Sequence, residues 1–466
     1  MAERREVVVV GAGPAGYAAA FMAADKGKKV TIVDPEENPG GVCLYRGCIP
    51  TKALLHVVKT KHEAELAADW GLTFKEPAID LDKLRDWKAD VITKLTRGTG
   101  QLAKRRKIEH IHGTARFSDP RTLAVATNGG EQSVSAEHII LATGAVAAML
   151  PMMPEDDDRV WTAERALDLP FIPERLLVVG AGYIGLEMSY TYLGLGAQVD
   201  LVEMTSGLMP GADRDLVEVY EKVNKKKYRN IMLETLVEKV DAKKDGLAVT
   251  FKGKGAPDKP QTYDAILLAT GRKPKLDSLG LDKSDVELTD DGFVRVDAQL
   301  RTSVDHIFAV GDIAGPPLLA HKGKYEGRIA GRVVAGDTKA AADTSIVPAV
   351  EYTDPEIAWV GLTETEAEEQ GRKVEVARFP WAASGRALTM GRRLGLTKLV
   401  LDPETTRILG VAVAGVDAGE LISEGALAIE MAATEEDLEL TIHPHPTLSE
   451  TIAGAAERFF GTPTDV

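Results

Sequence analysis

The chain of 466 residues is too long for one ordinary domain, and its 44% hydrophobic content is high enough to build packed cores, which argues against disorder. The formal net charge of -15 disfavours nucleic acid and anionic membrane surfaces as partners, and a total of 2 cysteines is too few for a secreted disulfide scaffold. No apolar run reaches the length of a membrane span, and the N-terminal MAERRE lacks the apolar core of a signal peptide. We therefore expect a cytoplasmic protein.

The first predicted unit is a strand, a glycine-rich turn, a helix and a second strand. Residues 7–10 are valines, followed by Gly11-Ala12-Gly13-Pro14-Ala15-Gly16, an alanine-rich helix over 17–26, and a strand over 29–33 that ends at Asp34. In such a unit the glycines allow a tight turn, close approach of the backbone to a pyrophosphate, and packing of helix on strand. The pyrophosphate binds at the helix N-terminus, and the acid accepts a hydrogen bond from a ribose hydroxyl.

A cysteine pair, Cys43 and Cys48, follows this unit. Residues from Thr51 onward, TKALLHVVKTKHEAELA, have the pattern of an amphipathic helix, so we expect the pair at a helix N-terminus, where a thiolate is stabilised. Such a pair can cycle between dithiol and disulfide. By spacing alone, two buried inert thiols are the simpler interpretation. No metal site is expected, because His56 does not complete a zinc ligand set.

A second copy of the first unit follows further along the chain. A strand over 176–179 leads into Gly180-Ala181-Gly182-Tyr183-Ile184-Gly185 and a helix to about residue 195, and the next strand, over 198–202, ends at Glu203. One such motif is a weak signal, but two complete copies with matched acids predict two bound dinucleotides. Glu203 would repel the 2′-phosphate of NADP, and no Arg or Lys occurs between it and Arg214. The second site is therefore predicted to prefer NAD.

Near the C-terminus, the segment TIHPHPTLSE contains two histidines separated by proline, which suits a rigid loop, and a helix is predicted to start near Thr447. A lone histidine is usually structural. Disulfide exchange, however, needs a base that makes a thiolate, and a base needs a partner that orients it. His445 with Glu450 supplies both.

Residues 40–52, GGVCLYRGCIPTK, resemble the redox-active disulfide segment of the flavoprotein disulfide reductases. The resemblance implies that the first dinucleotide is FAD, that the second is NAD, and that the disulfide stacks beside the flavin. Cys43 would then exchange with substrate and Cys48 would adjoin the isoalloxazine. Lys52 would lie near flavin N5, paired with Glu187 of the second motif.

The resemblance extends over essentially the whole chain. The segments LATG at 141–144 and LATGR at 268–272 resemble strand ends that mark crossings between the nucleotide domains, and IFAVGD at 307–312 resembles the second FAD motif, with His321 following near the flavin. The positions implied for FAD are Gly11, Gly13, Gly16, Asp34, Gly41, Lys52, Ala115, Gly144, Asp312 and Ala320. Those implied for NAD are Gly180, Gly182, Tyr183, Gly185, Glu187, Glu203, Val237 and Gly271.

The C-terminal pattern HxHPTxxE resembles the signature of the dihydrolipoamide dehydrogenases within this family, and it implies that His445 is the base and His443 is structural. In that branch the base serves the neighbouring subunit of a homodimer. Residues 351–361, EYTDPEIAWVG, also resemble the interface domain of these enzymes. The resemblance therefore implies oxidation of dihydrolipoamide with reduction of NAD, through Cys43, Cys48, His445 and Glu450.

Two residues depart from the common family pattern or leave two interpretations open. Arg46 lies inside the cysteine loop, where it either stabilises a thiolate or points to solvent, and we expect the solvent orientation. Tyr183, inside the second glycine motif, either covers the flavin face or is a packing aromatic.

The expected architecture is α/β, with two Rossmann-like dinucleotide-binding domains, a central domain, and a C-terminal α+β dimerisation domain. The predicted bounds are 1–146 for the FAD domain, 147–275 for the NAD domain, 276–345 for the central domain and 346–466 for the interface domain.

The expected partners are a second copy of the chain and the lipoyl domain and subunit-binding segment of a 2-oxo acid dehydrogenase acyltransferase. The resemblance implies service in such complexes or in glycine cleavage. One alternative is another disulfide reductase of the glutathione type, which would generally use NADP. A second alternative is a subunit that serves mainly for assembly and docks on a basic segment, which the acidic charge would suit.

Overall fold

The computed structural model describes residues 3–154, 156–459 and 461. Its first part contains a parallel sheet and the helices that cover it. These elements are β1 (Glu3–Val10), α1 (Pro14–Asp25), β2 (Val30–Asp34), α2 (Gly41–Arg46), α3 (Cys48–Leu66), α4 (Leu81–Arg105), β3 (Glu109–Asp119), β4 (Thr122–Thr127) and β5 (Gly130–Leu141).

The second part of the chain builds another parallel sheet, again with helices against it, and two small antiparallel ladders. These elements are β6 (Ala145–Ala147), β7 (Val160–Thr162), α5 (Ala163–Leu167), β8 (Arg175–Val179), α6 (Tyr183–Gly194), β9 (Gln198–Val202), α7 (Arg214–Asn224), β10 (Asn230–Met232), β11 (Thr235–Lys243), β12 (Gly246–Gly253), β13 (Gln261–Tyr263), β14 (Ala265–Leu268) and β15 (Arg272–Pro274).

The third part returns to the first sheet, and the fourth forms a separate antiparallel sheet. The third part contributes β16 (Ile307–Ala309) and α8 (Ala320–Val334). The fourth contributes β17 (Ala349–Glu351), β18 (Glu356–Gly361), α9 (Glu364–Glu369), β19 (Glu375–Pro380), α10 (Gly385–Thr389), β20 (Leu396–Leu401), β21 (Ile408–Gly415), α11 (Ala418–Glu430), α12 (Glu435–Glu439) and α13 (Glu450–Phe459).

The first sheet is buried on both faces. β1 lies between β2 and β5 and pairs with both in parallel, and β3 and β16 flank them. β3 and β5 continue beyond the parallel region and pair antiparallel with β4. Successive valines of β1 point to opposite sides, so Val7 and Val9 pack into the core beneath α1 and α8, while Val8 and Val10 pack into the core on the other face. This burial explains the unbroken run of β-branched residues.

The second sheet repeats this plan in the order β10-β9-β8-β14-β7, all parallel. Strands β11, β12 and β13 form an antiparallel ladder beside it, and β6 pairs antiparallel with β15 where the chain crosses between the two units. Because β16 pairs with β5, the segment after β15 completes the first unit.

The C-terminal sheet is antiparallel in the order β17-β18-β21-β20-β19, and α11 and α13 pack on it. Its core surrounds Trp381, which is fully buried, and includes Phe379, Leu399 and Ile452. The predicted α/β class with two Rossmann-like units and a C-terminal α+β domain is confirmed. Among the helices of the described ranges, none is long and apolar enough to cross a membrane.

Candidate active site

At two of the three glycines of the first turn, the neighbouring backbone leaves no room for a side chain. Gly11 has φ +97, and a Cβ there would lie 2.4 Å from the carbonyl oxygen of Ala142. A Cβ on Gly16 would lie 1.9 Å from the oxygen of Gly11, so helix α1 can approach β1 only with glycine at this position.

Gly13 is different. Its φ is −66, which any residue adopts, and a Cβ there would meet only the Cα of Gly41 at 3.9 Å. Neither the backbone conformation nor a neighbouring atom of the chain requires glycine at this position. The space beside Gly13 is therefore open to a bound ligand. Gly13 is the N-cap of α1 and its N-terminal amides have no side-chain cap, which is the arrangement that binds a pyrophosphate.

The second turn has the same construction. Gly180 has φ +102 and its Cβ would lie 2.5 Å from the oxygen of Ala269, and a Cβ on Gly185 would lie 1.9 Å from the oxygen of Gly180. A Cβ on Gly182, the N-cap of α6, would meet nothing within 4 Å. The chain therefore contains two equivalent cradles that fit dinucleotides.

The acid at the end of the second strand is held against each turn in the same way. Asp34 accepts hydrogen bonds from the amide of Ala12 at 2.7 Å and from that of Glu36 at 2.9 Å. Glu203 accepts from the amides of Ala181 and Thr205, both at 2.8 Å. Both carboxylates are nearly buried. Each is thereby fixed beside its cradle, where a ribose hydroxyl would reach it.

The other predicted nucleotide-binding positions lie in turns, at a helix start and in buried strands. Gly41, Gly144 and Gly271 have φ of +59, +73 and +118, so their conformations favour glycine. Asp312 lies in a 3-10 turn after β16, and burial raises its pKa. Ala320 is the first residue of α8, while Ala115 and Val237 are buried in β3 and β11.

The cysteines lie on two consecutive helices. Cys43 is in α2 and Cys48 is the first residue of α3, with Gly47 between the helices. The prediction that the helix begins at Thr51 was wrong by three residues. Pro50 lies inside the first turn, where its missing N–H costs nothing because these donors have no partner within the helix. Both cysteines are free thiols and partly buried.

The two thiols are electrostatically distinct. The hydrogen bond that Cys43 donates lowers the pKa of Cys48 to about 7, against the effect of burial, and Lys52 lowers it further. The same hydrogen bond, with burial, raises the pKa of Cys43. Of the two sulfurs, Cys48 is therefore the one that ionises more readily, beside a Cys43 thiol, and a thiolate is the form that undergoes disulfide exchange.

Lys52 joins this helix to the second nucleotide unit. Its Nζ lies 2.7 and 2.9 Å from the two carboxylate oxygens of Glu187, as the resemblance implied, and 4.4 Å from the centre of the Tyr352 ring. The amide of Tyr352 also donates to Glu187, at 3.3 Å. α3, α6 and the end of β17 thus meet at one ion pair.

His445 and Glu450 are also brought together. The imidazole Nδ1 lies 2.9 Å from one carboxylate oxygen, and the other oxygen accepts the amide of Thr447 at 2.7 Å. Helix α13 begins at Glu450, three residues after Thr447. The Glu450 carboxylate accepts the amide of Thr447, so Thr447 lies in the turn before the helix. His443 contacts Glu424 at 2.6 Å instead.

The described chain does not join His445 to the cysteines by a hydrogen bond or an ion pair. Its side chain is 80% exposed. His445 is therefore free to act on a surface outside its own chain.

The structure shows the contacts of Arg46 and Tyr183, the two residues for which the sequence left two interpretations open. Arg46 is exposed, as expected, and its guanidinium forms an ion pair with Glu36 at 2.6 Å. Arg46 is not among the main causes of the shift of the Cys48 pKa. The Tyr183 ring stacks on Trp359, with centroids 5.8 Å apart and planes inclined by 14°. Tyr183 therefore packs against an aromatic partner from β18.

Sequence reasoning missed Glu351, which is fully buried, with neither carboxyl oxygen hydrogen-bonded in the described part of the chain. The available signal was an acid directly after the apolar residues 347–350, VPAV. Missed as well was Lys398, whose buried ammonium lies 2.6, 2.8 and 3.0 Å from Asp213, Asp215 and Glu364. These three carboxylates form the tight acidic group in the described residues that resembles a metal site, and the lysine lies among them.

Two dinucleotide cradles and one hydrogen-bonded thiol pair in the same chain define a nucleotide-linked disulfide oxidoreductase. The family model for pyridine nucleotide-disulphide oxidoreductases matches residues 5–327, and that for the dimerisation domain of this family matches residues 347–456. The chain belongs to this family, and it is an NAD-dependent oxidoreductase with FAD and NAD as cofactors. The dimerisation domain indicates a homodimer.

Individual relatives carry a more specific name. Dihydrolipoyl dehydrogenase from Vibrio cholerae is 48% identical over 463 residues, which cover 99% of this chain and 97% of the relative. Dihydrolipoyl dehydrogenase from Haemophilus influenzae is 47% identical over 464 residues, covering 99% and 96%. The crystal structure of LpdA from Mycobacterium tuberculosis superposes with a TM-score of 0.90 at 26% identity, covering 98% and 99% of the two chains.

Proposed function

We propose that this protein is a dihydrolipoyl dehydrogenase, which oxidises protein-bound dihydrolipoamide to lipoamide and reduces NAD to NADH. The observation that carries the proposal is the Cys43–Cys48 pair, in which Cys48 is the more acidic thiol and lies on the helix whose Lys52 pairs with Glu187 of α6, the helix that starts at the second cradle. The identity to dihydrolipoyl dehydrogenases over nearly the full chain supports this substrate.

The residues divide the thiol chemistry between them. His445, oriented by Glu450, takes a proton from one thiol of dihydrolipoamide, and the resulting thiolate attacks the Cys43 sulfur of the disulfide. The Cys43–Cys48 bond breaks and Cys48 leaves as a thiolate, stabilised by Lys52. The second substrate thiol then displaces Cys43 and its proton passes to the Cys43 sulfur, which closes the lipoyl disulfide and leaves the Cys43 thiol. His445 returns the first proton to the surroundings. Because His445 is exposed in its own chain, we assign it to the Cys43 of the other subunit of the dimer.

The cofactors fit the two cradles. Gly11, Gly13, Gly16 and Asp34 would hold FAD, and Gly180, Gly182, Gly185 and Glu203 would hold NAD, with the remaining predicted positions around them. When bound, the flavin accepts two electrons from the dithiol pair and the nicotinamide accepts a hydride. Glu203 favours NAD by repelling a 2′-phosphate, which argues against a glutathione-type reductase using NADP.

The same proposal includes the protein's partners. The substrate dithiol would be carried on the lipoyl domain of a 2-oxo acid dehydrogenase acyltransferase or of a glycine cleavage system. The net charge of -15 suits docking on a basic subunit-binding segment. A cytoplasmic location and the four domain bounds given by the sequence remain predictions of this account.

A substrate panel tests the proposal. The purified holoenzyme is expected to form NADH from dihydrolipoamide and NAD, and to show little turnover of glutathione disulfide with NADPH. Cys48→Ser should abolish NADH formation, because no disulfide can form, while the protein keeps its bound flavin. Preference for glutathione disulfide and NADPH would refute the assigned substrate, and undiminished turnover by Cys48→Ser would refute the role of the pair.

A further inference from the structure

Glu351 is a buried acid at the redox site for which the thiol chemistry above has no role. It is the last residue of β17, its exposure is 0%, and both carboxyl oxygens are without hydrogen-bond partners in the described ranges. An ionised carboxyl group in such a place has lost its hydration and gained no donor in return. The neutral form of the group is therefore favoured in this structure, in which the cysteines are not joined in a disulfide.

The charged and titratable groups around Glu351 come from several elements. Burial raises the pKa of Glu351 well above its ordinary value, Glu187 on α6 raises it further, and Lys52 on α3 lowers it. The phenols that interact with the same carboxyl group are Tyr183 on α6, Tyr220 on α7 and Tyr228 after it, and burial raises the pKa of each. Lys52 is thus the group that favours ionised Glu351.

Lys52 also links Glu351 to the thiols, because it lies in the first turns of α3 after Cys48 and its Nζ is 4.4 Å from the ring of Tyr352, the residue that follows Glu351. Burial lowers the pKa of Lys52, but Glu187, Cys48 and Glu351 all raise it, and the net shift is upward. The Cys48 thiolate and the Glu351 carboxylate therefore share one cation. In the disulfide Cys48 has no charge, and Lys52 is available to stabilise ionised Glu351. Reduction restores the thiolate, so the proton affinity of Glu351 rises when the disulfide is reduced.

We propose that Glu351 is a redox-linked proton store, which binds a proton when the Cys43–Cys48 disulfide is reduced and releases it on reoxidation. The proposal rests on the redox role of the cysteines. A dithiol reductant supplies two electrons and two protons while its sulfurs form a disulfide and the Cys43–Cys48 bond breaks. One proton ends on Cys43, Cys48 remains a thiolate, and the second proton ends on Glu351. Reoxidation by NAD removes two electrons and one proton as hydride, and Glu351 releases the proton that the overall reaction liberates.

The test is a proton count on the intact holoenzyme. One equivalent of dithiothreitol is added without oxygen in weak buffer with a pH indicator, at pH values from 6 to 9, and alkylation of Cys43 and Cys48 measures the extent of reduction. Where Glu351 is ionised in the disulfide form, wild type is expected to release up to one proton per chain fewer than Glu351→Gln. In that range reduction of wild type takes up one more proton than reduction of Glu351→Gln. The equilibrium constant for reduction of wild type, divided by that of Glu351→Gln, should therefore fall tenfold for each unit by which the pH is raised.

Controls separate this role from a structural one. Glu351→Leu removes the acid at similar volume and should match Glu351→Gln in proton count. Glu435→Gln changes another buried acid with an unpartnered oxygen, on α12, and should match wild type. Equal proton release by wild type and both Glu351 variants at every pH would overturn the proposal. Dithiothreitol keeps the test independent of the proposed substrate, since a protein reduced by it but not by dihydrolipoamide contradicts only that substrate.

Discussion

Cys48 is a reactive thiol because of its neighbours and not because of its exposure. It is partly buried, which opposes ionisation, but the Cys43 hydrogen bond and the Lys52 charge outweigh that cost. Glu187 acts in the opposite direction, since its negative charge raises the pKa of Cys48. Two residues of one ion pair thus have opposite effects on one sulfur.

This opposition makes a paired prediction. Lys52→Met should raise the pKa of Cys48 above about 7, and Glu187→Gln should lower it, because each removes one of the two opposing charges. Each unit of change alters the thiolate fraction tenfold at pH values below the pKa. The pH dependence of iodoacetamide alkylation of the reduced protein measures this. Lys59→Met, which removes a lysine of the same helix paired with Asp417, is the control and should leave the profile unchanged. Shifts of the same sign in Lys52→Met and Glu187→Gln would contradict this assignment.

At the scale of elements, the two strand–turn–helix units were predictable because their geometry is local. A turn that brings a helix within contact of its own strand admits only glycine at defined positions, so spacing alone reveals it. Helix starts were less predictable. The helix predicted from Thr51 begins at Cys48, because a first turn tolerates Pro50, and the helix predicted near Thr447 begins at Glu450, whose side chain caps the amide of Thr447 before the helix.

The glycines of one turn should differ sharply when substituted. Gly185→Ala would place Cβ 1.9 Å from the Gly180 oxygen, so α6 must move and the fold should lose stability. Gly182→Ala meets nothing within 4 Å in the protein and should fold normally, but bind NAD more weakly. Thermal unfolding and NAD titration of the two variants separate these effects. Normal NAD affinity in Gly182→Ala would mean that the pyrophosphate does not approach this position.

At the scale of the whole molecule, pairs far apart in sequence decide how the units meet. Lys398 on β20 binds Asp213 and Asp215 at the start of α7, which are 185 and 183 positions away, and Lys52 binds Glu187 across 135 positions. Sequence indicates that such residues are charged but not which partner each one has. For the same reason Glu351 could not be placed beside the redox pair, whereas the His445–Glu450 pair, five positions apart, could be predicted.

The Lys398 cluster, in which this lysine pairs with Asp213, Asp215 and Glu364, is predicted to lose its stabilising effect in acid. Burial raises the pKa of Asp213, but the hydrogen bonds from Lys398 and Thr365 lower it more, to a net value below the ordinary 3.8. This contribution to stability is present above the unfolded pKa and is lost as pH falls through the folded one. Lys398→Met leaves buried carboxylates unpaired and should destabilise the protein by roughly 3–5 kcal/mol at pH 7, with partial recovery as pH falls.

Chemical denaturation at pH 7 and near pH 4.5 measures this effect. The exposed Lys373, changed to Met, serves as the control and should unfold like wild type. If Lys398→Met were as stable as wild type at pH 7, the contact between β20 and α7 would not depend on this lysine.

The central claim is that Cys43 and Cys48 carry electrons from a dithiol to NAD. Its most direct test is stoichiometric: the oxidised holoenzyme is mixed without oxygen with one equivalent of dihydrolipoamide, quenched and alkylated, before and after addition of NAD. In the sample quenched before NAD is added, two cysteines per chain, Cys43 and Cys48, are expected to be newly alkylated. In the sample quenched after NAD is added, neither should be alkylated and one NADH should have formed per chain. Two results would contradict the central claim. One is oxidation of dihydrolipoamide while Cys43 and Cys48 stay in the disulfide and are not alkylated. The other is formation of NADH while both cysteines are still alkylated in the sample quenched after NAD is added.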